Sequence, residues 1–335
     1  MASGKNLITF KLWNAGLINQ LMSVECASII SAYTDNPVFI HSNTGLDSSW
    51  RNISQSRTNI LGNKFPKIND LIEFNTDLHF YENKFEDAAI CVPEIVVQDF
   101  FQTALCLGGA IPDTDFLEGR KYLRIEQNTN YRFIGTLGWY SIVFYDLYKT
   151  QCTRNWEVNF RNEYVNVAHK IINEIGEFAA IHIRQKDHAA IAGINSDDIN
   201  AAIDSLCSKT VLVLSDDYSN RWNPSSRNHM NIDDVIMHNF KNEILALPFH
   251  DETVFGLISL LVASSATEFI GTPGSTYSGY IMRNVNKKNH TNNWRYIGNI
   301  DTHNRGKYSW NAYKNMPIET KVWWMEWEES LDWSI

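Results

Sequence analysis

Phe178-Ala-Ala-Ile-His-Ile-Arg-Gln-Lys-Asp187 decides the fold of this chain. Ala179–Ile183 is a short apolar run with the look of a buried strand, and it ends directly in His182, Arg184 and Asp187. Charged residues at the C-terminal end of such a strand face a ligand crevice in open α/β sheets. Working outward, Asn195–Cys207 reads as a helix opened by the cap region Ser196-Asp-Asp198. Thr210-Val-Leu-Val-Leu-Ser215 is a second buried strand and ends in Asp216-Asp217. Glu243–Leu247 reads as a further short strand, Asp251–Ser264 as a helix, and Thr267–Gly271 as the next strand. The polar stretch Thr272-Pro-Gly-Ser-Thr-Tyr-Ser278 then leads into a helix through Arg283.

The N-terminal part repeats this alternation. Residues 7–13 read as a strand, and Trp13-Asn-Ala-Gly-Leu-Ile-Asn-Gln20 as a turn entering a helix. Asp35-Asn-Pro37 stops that helix before the strand Val38–His41. Strand, helix, strand within so short a span is a βαβ unit, so the sheets are expected to be parallel. Trp139–Tyr148 and Glu157–Glu177 read as helices, the second with Val165, Ala168, Ile171, Ile172 and Ile175 on one face. Residues 42–90 are polar and yield no clear elements.

The chain has 335 residues, 44% of them hydrophobic. More than one core forms above about 250–300 residues. Two α/β domains are therefore expected, at 1–165 and 166–308, with a Trp-rich segment at 309–335 packing back on the body. The net charge of −9 and the absence of a basic run argue against a nucleic-acid partner. Five scattered cysteines without a CxxC pair fit reduced thiols and a cytoplasmic setting. The longest apolar segment, Val254–Ala263, is too short to span a bilayer.

Three polar segments fall where the strands end: 14–20, 182–188 and 271–278. The last is the best anion cradle. Between a strand and a helix, its backbone N–H groups can point at oxygens, and the helix terminus adds partial positive charge. Arg184 can clasp a phosphate with two parallel charge-assisted bonds. Together they suit a diphosphate. The P-loop pattern is missing, and the first turn carries only Gly16 where a dinucleotide fingerprint needs three glycines. Asp113-Thr-Asp115 is a literal Asp-x-Asp but reads as a surface turn, so no metal site is expected.

Four of these segments, in order along the chain, resemble the motifs of fucosyltransferases that use GDP-fucose. Gly16-Leu-Ile-Asn-Gln20 is similar to their Gly-x-x-Asn-Gln opening, and His182-Ile-Arg-Gln-Lys-Asp187 to their His-x-Arg-x-x-Asp motif. Leu214-Ser-Asp-Asp217 resembles their strand ending in Thr/Ser-Asp, and Glu268–Ser278 their closing Phe-x-Gly-x-x-x-Ser-Ser/Thr-Phe-Ser stretch. The superfamily includes α1,2-, α1,6- and protein O-fucosyltransferases. The resemblance implies a GT-B-like α/β fold, with two Rossmann-like domains facing each other across a cleft and the first on the acceptor side.

The resemblance also implies roles. Arg184 would bind the β-phosphate of GDP-fucose and assist its departure. Ser275, Thr276 and Tyr277, with Gly274, would hold the diphosphate and nucleotide, Asp216 would lie near the nucleotide, and His182 would shape the pocket. Gly16 would let the first turn approach the donor, and Asn19 would donate to it. No cofactor or metal would be required. Asp187 is the preferred catalytic base, with His188, Glu25 and His41 as further candidates, although Glu25 reads chiefly as a solvated helix residue. Gln185 stands where the double-Arg subgroups carry a second Arg, which argues against a close match to them.

The expected function is therefore an inverting, metal-independent glycosyltransferase of carbohydrate metabolism, moving fucose from GDP-fucose to a hydroxyl of a glycan or protein acceptor. The competing readings are transfer from another GDP-sugar, and a non-catalytic glycan- or nucleotide-binding protein on the same scaffold.

Overall fold

A computed structural model describes residues 7–11, 38–41, 66–74, 78–81, 131–134, 158–184, 194–216, 228–250, 252–272, 275–289 and 294–297, with Leu17, Ile18, Gln20, Leu21, Val24, Glu25 and Ser28. The chain divides into two compact units. The first comprises Met1–Ser48, Pro66–Phe160 and Ser330–Asp332, and the second Ser49–Phe65, Arg161–Glu329 and Trp333–Ile335.

The first unit holds strands β1 (Leu7–Lys11), β2 (Val38–His41), β3 (Ile72–Phe74), β4 (Leu78–Tyr81), β5 (Tyr131–Ile134) and β6 (Val158–Phe160). Four of them form a parallel sheet in the order β4-β2-β1-β5. β3 and β6 pair antiparallel, with Ile72 opposite Phe160. The described residues between 17 and 28 are helical and all buried. Leu17, Ile18, Leu21 and Val24 recur at helical spacing, so the expected βαβ unit is present. Glu25 is not the solvated residue its charge suggested: it is 2% exposed, on the same helical stretch as Leu21 and Val24. β3 and β4 lie within the polar region 42–90; Ile72-Glu-Phe74 and Leu78-His-Phe-Tyr81 alternate, but over only three and four residues, too short a pattern to announce a strand.

The second unit contains β7 (Ala179–Ile183), β8 (Thr210–Ser215), β9 (Asn228–Asn231), β10 (Phe269–Gly271) and β11 (Trp294–Tyr296). They form one parallel sheet in the order β11-β10-β7-β8-β9. Its helices are α1 (Asn162–Ile175), α2 (Ser196–Asp204), α3 (Ile232–Asn239), α4 (Lys241–Leu245), α5 (Glu252–Ala263) and α6 (Thr276–Asn289).

Side-chain alternation along the strands divides the core into two layers. Ala179, Ile181 and Ile183 pack with Val211, Val213, Ile270 and Ile297 against Ile199 and Ile203 of α2. Ala180, His182 and Gly271 therefore face the other side, where α5 meets β7 and α6 meets β10. α5 is apolar nearly all round because it lies between that face and α1. Each of its fully buried Val, Leu and Ile side chains stabilises the fold by roughly 1.5–3 kcal/mol. The sheet with helices on both faces is a Rossmann-like arrangement.

Several elements differ from their sequence reading. Glu243–Leu247 lies largely in helix α4 rather than in a strand. Glu157–Glu177 is not one helix, because Val158–Phe160 forms β6 and α1 begins at Asn162. The buried face of α1 is Tyr164, Val167, Ala168 and Ile171, and the expected Val165, Ile172 and Ile175 lie half-buried along its margin. β9 and α3 were not anticipated, since Asn228-His-Met-Asn231 has the composition of a loop. The expected helix at 139–148, the Asp113-Thr-Asp115 turn and the segment at 309–335 lie outside the described residues. Among the described residues, no helix is long and apolar enough to cross a membrane.

Candidate functional site

Strand order selects one place on the second sheet. The chain runs from β7 outward through β8 to β9, then returns to the far side of β7 for β10 and continues to β11. β7 and β10 are thus neighbours at the point where the direction of winding reverses. Crevices at the C-terminal ends of such strands are where open α/β sheets bind ligands. Arg184 follows β7 directly, and Thr272 follows β10 directly. Sequence reading set both segments around one diphosphate, and strand order makes the strands that lead into them neighbours.

A compact hydrogen-bond network joins the two ends. Thr272 Oγ1 donates to the His182 carbonyl at 2.8 Å and accepts from the Arg184 N–H at 3.0 Å. The Thr272 N–H donates to Ser278 Oγ at 3.0 Å, and the Thr272 carbonyl accepts from the Ser275 N–H at 3.4 Å. Ser278 Oγ also lies 2.7 Å from His182 Nδ1, fastening the first turn of α6 to β7. The His182 ring sits on Tyr277, with centroids 4.8 Å apart and planes tilted by 43°. His182, Thr272, Ser275, Thr276 and Ser278 are all buried.

Gly271 is what allows this close approach. A Cβ there would come within 2.8 Å of Ser278 Cβ and 2.5 Å of the Met282 methyl. Met282 could swing aside, but Ser278 is fixed by its helix and its bonds. Any larger residue would push the first turn of α6 off the sheet.

The start of α6 has the features of an anion site. Ser275 is the residue before the helix; its Oγ accepts from the Ser278 N–H at 3.4 Å and its carbonyl from the Gly279 N–H at 3.0 Å. The amides of Thr276 and Tyr277 lie before that first helical bond and outside the helix's own ladder. No acidic residue stands in this first turn. The partial positive charge of the helix end is therefore not met by a carboxylate of its own turn.

The sequence-predicted residues divide by position. His182, Arg184, Ser275, Thr276 and Tyr277 come together here. Of these, His182 engages Ser278 through Nδ1, the Ser275 hydroxyl serves the helix start, and the Tyr277 hydroxyl donates to the Gly256 carbonyl on α5 at 2.7 Å. Three side chains expected around a ligand thus also hold the site's frame. Asp216 directly follows β8, next to β7, and is buried; its N–H donates to the Ile183 carbonyl at 3.4 Å. Gly16, Asn19, Asp187, His188 and Gly274 lie outside the described residues. Of the two junctions of the network, sequence reading placed Ser278 in the cradle but did not single out Thr272; a hydroxyl beside the small Gly271 was the available signal.

Away from this site, a cavity of about 390 Å³ at the sheet edge is lined by His229, Met230, Asn231, Asp234, Val235 and His238. There His238 Nδ1 lies 2.7 Å from the Asp234 carbonyl. Among the described residues, no group of three or more His, Cys, Asp or Glu is placed to hold a metal ion.

No protein-family model matches the sequence, and no curated protein matches it. Among solved structures, the chain is similar to the NodZ α1,6-fucosyltransferase soaked with GDP-fucose, at 12% identity and a TM-score of 0.45, over 84% of this chain and 92% of that one. It is similar to the fucosyltransferase NodZ from Bradyrhizobium at 12% identity and a TM-score of 0.47, over 83% and 93%. Its similarity to POFUT1 in complex with GDP-fucose is 12% identity and a TM-score of 0.46, over 88% and 99%.

Proposed function

We propose that this chain is a glycosyltransferase that moves fucose from GDP-fucose to a hydroxyl of a glycan or protein acceptor, with inversion at the anomeric carbon. One observation carries the reading. At the winding reversal of a parallel sheet, Thr272 ties the main chain of Arg184 to a helix start that has no acid in its first turn. A guanidinium and oriented amides are the two donor types that a diphosphate leaving group needs. The order of motifs from Gly16 to Ser278 supports fucose as the sugar.

The chemistry follows from charge. The anomeric C–O bond to the β-phosphate breaks, leaving an electron pair and extra negative charge on GDP while the sugar becomes cation-like. Arg184 and the amides of Thr276 and Tyr277 stabilise that developing charge without reorganising at the moment of reaction. The acceptor oxygen forms the new bond from the opposite face and yields its proton to a base, the role proposed for Asp187. His182 and Ser278 hold the cradle in place, and Asp216 lies near the nucleotide. Gly16, Asn19 and Gly274 complete donor binding, with 1–165 as the acceptor-side domain and 166–308 as the nucleotide domain. No step draws on a metal.

The test is a hydrolysis screen of UDP-, GDP-, CMP- and dTDP-sugars, with and without EDTA. GDP-fucose is expected to be the preferred donor, and its turnover is expected to survive EDTA. Preference for a different nucleotide sugar, or binding of GDP-fucose without turnover across broad acceptor arrays, would overturn the assignment.

A further inference from the structure

We propose that Thr272 is a positioning residue whose hydroxyl sets the spacing between Arg184 and the first turn of α6, and thereby the affinity of the site for a nucleoside diphosphate. The proposal rests on the phosphate-binding reading of this site and adds to it a residue that the motifs did not mark. The observation behind it is a break in the β7–β10 ladder.

Parallel ladders repeat their hydrogen bonds every two residues along each strand. Here the Ala180 N–H donates to the Glu268 carbonyl at 2.9 Å, and Ile270 pairs with Ile181. Continued along both strands, the pattern would send the Thr272 N–H to the His182 carbonyl and the Arg184 N–H to the Thr272 carbonyl. Neither bond is made by the Thr272 main chain. Its hydroxyl makes both, donating to His182 O and accepting from Arg184 N. The side chain stands in for its own peptide groups.

That substitution releases the Thr272 N–H and carbonyl for α6. The N–H goes to Ser278 Oγ and the carbonyl to the Ser275 N–H. One residue, fully buried, thus bonds the strand leading to Arg184 on one side and the helix start on the other. A side chain in this place must donate and accept through a single atom, which a hydroxyl does and a methyl does not. Thr272→Val keeps the shape but leaves the Arg184 N–H without this acceptor and the His182 carbonyl without this donor. Thr272→Ser keeps the hydroxyl and loses only a methyl group.

The test is calorimetric titration with GDP, with thermal denaturation of each variant as a check on folding. In T272V the dissociation constant is expected to rise about tenfold, the scale of a buried hydrogen bond left unmade. In T272S it is expected to stay within about threefold of the wild type, since both bonds remain. In an R184A background, T272V is expected to add about twofold or less, because residues acting through one another are not additive. A purely structural role would lower the melting temperature and leave that coupling at zero.

Wild-type GDP affinity in folded T272V overturns the proposal, as does an equal loss in T272S, or a full loss in the R184A background. If T272V does not fold, S278A removes the acceptor of the Thr272 N–H at the other end of the link. Wild-type GDP affinity in S278A then overturns the proposal. A wild-type protein that binds no GDP overturns the reading of the site itself, and is told apart from the other failures because it needs no variant.

Discussion

The N-termini of α2 and α6 solve one electrostatic problem in opposite ways. Both begin beyond a strand of the same sheet, and both have a polar residue before the first turn. At α2, Asn195 and Asp198 exchange side-chain and main-chain bonds at 2.9 and 3.2 Å, and Asp197 adds a second carboxylate. The helix end is satisfied from within. At α6, Ser275 makes the corresponding cap, but the turn that follows is Thr276-Tyr-Ser278, without a charge. Among the described residues, α1, α3, α4 and α5 each place an acid in the first turn, as α2 does. An acid in the first turn is the ordinary means of stabilising a helix, worth about 0.3–1 kcal/mol at an exposed site. Its absence at the start of α6, which Thr272 links to the Arg184 main chain, is what a site for a ligand's negative charge requires.

The largest effect that can break this contrast is at Arg184. Arg184→Ala is expected to lower GDP-fucose turnover at least about 100-fold, the scale of removing one preorganised donor to a developing charge. Steady-state kinetics on the folded variant reads it directly, and near-normal turnover would show that the Arg184 strand end is not part of an anion site. A smaller and more pointed effect comes from making α6 resemble α2. Thr276→Asp places a carboxylate in the first turn, so GDP binding is expected to weaken about tenfold through like-charge repulsion. Folded stability is expected to stay within about 1 kcal/mol, because the helix end offsets part of the carboxylate's loss of water. Thr276→Asn, of similar size and uncharged, should weaken GDP binding much less than Thr276→Asp does. If Asp and Asn variants bind GDP equally, the first turn of α6 is not where the phosphates lie.

Composition made much of this contrast legible. Ala179–Ile183 and Thr210–Ser215 are apolar runs with nothing else to become, and Ser196-Asp-Asp198 announces a helix start by itself. The parallel sheets follow from strand and helix alternation. His182, Arg184 and the 275–277 turn were visible because polar groups interrupt apolar runs at their ends. What the sequence concealed depends on neighbours distant along the chain. Thr272 looks like an ordinary loop residue until β10 is placed beside β7, about 90 residues away, and that pairing has no local signature. Glu25 looks solvated because its charge is local information and its burial is not. Glu243–Leu247 misled for a related reason: an apolar run of four residues fits a strand or a helix turn equally well, and packing decides. The contribution of residues such as Gly16, Asn19 and Asp187 rests on motif order alone.

The smallest predicted effect tests the other half of the comparison. If α2 is stabilised from within, then Asp198→Ala should cost stability and nothing else. The substitution removes the carboxylate that accepts from the Asn195 N–H at 3.2 Å, and one of two charges in that turn. Because Asp198 is only half-buried and Asp197 remains, the loss is expected to be about 1 kcal/mol. A small fall in melting temperature with unchanged GDP affinity would separate a helix start that serves folding from one that serves binding. A fall in GDP affinity as large as that of Thr276→Asp would instead mean that both helix starts face the ligand. The carboxylates of α2 would then be part of the site's electrostatics rather than a closed account of their own.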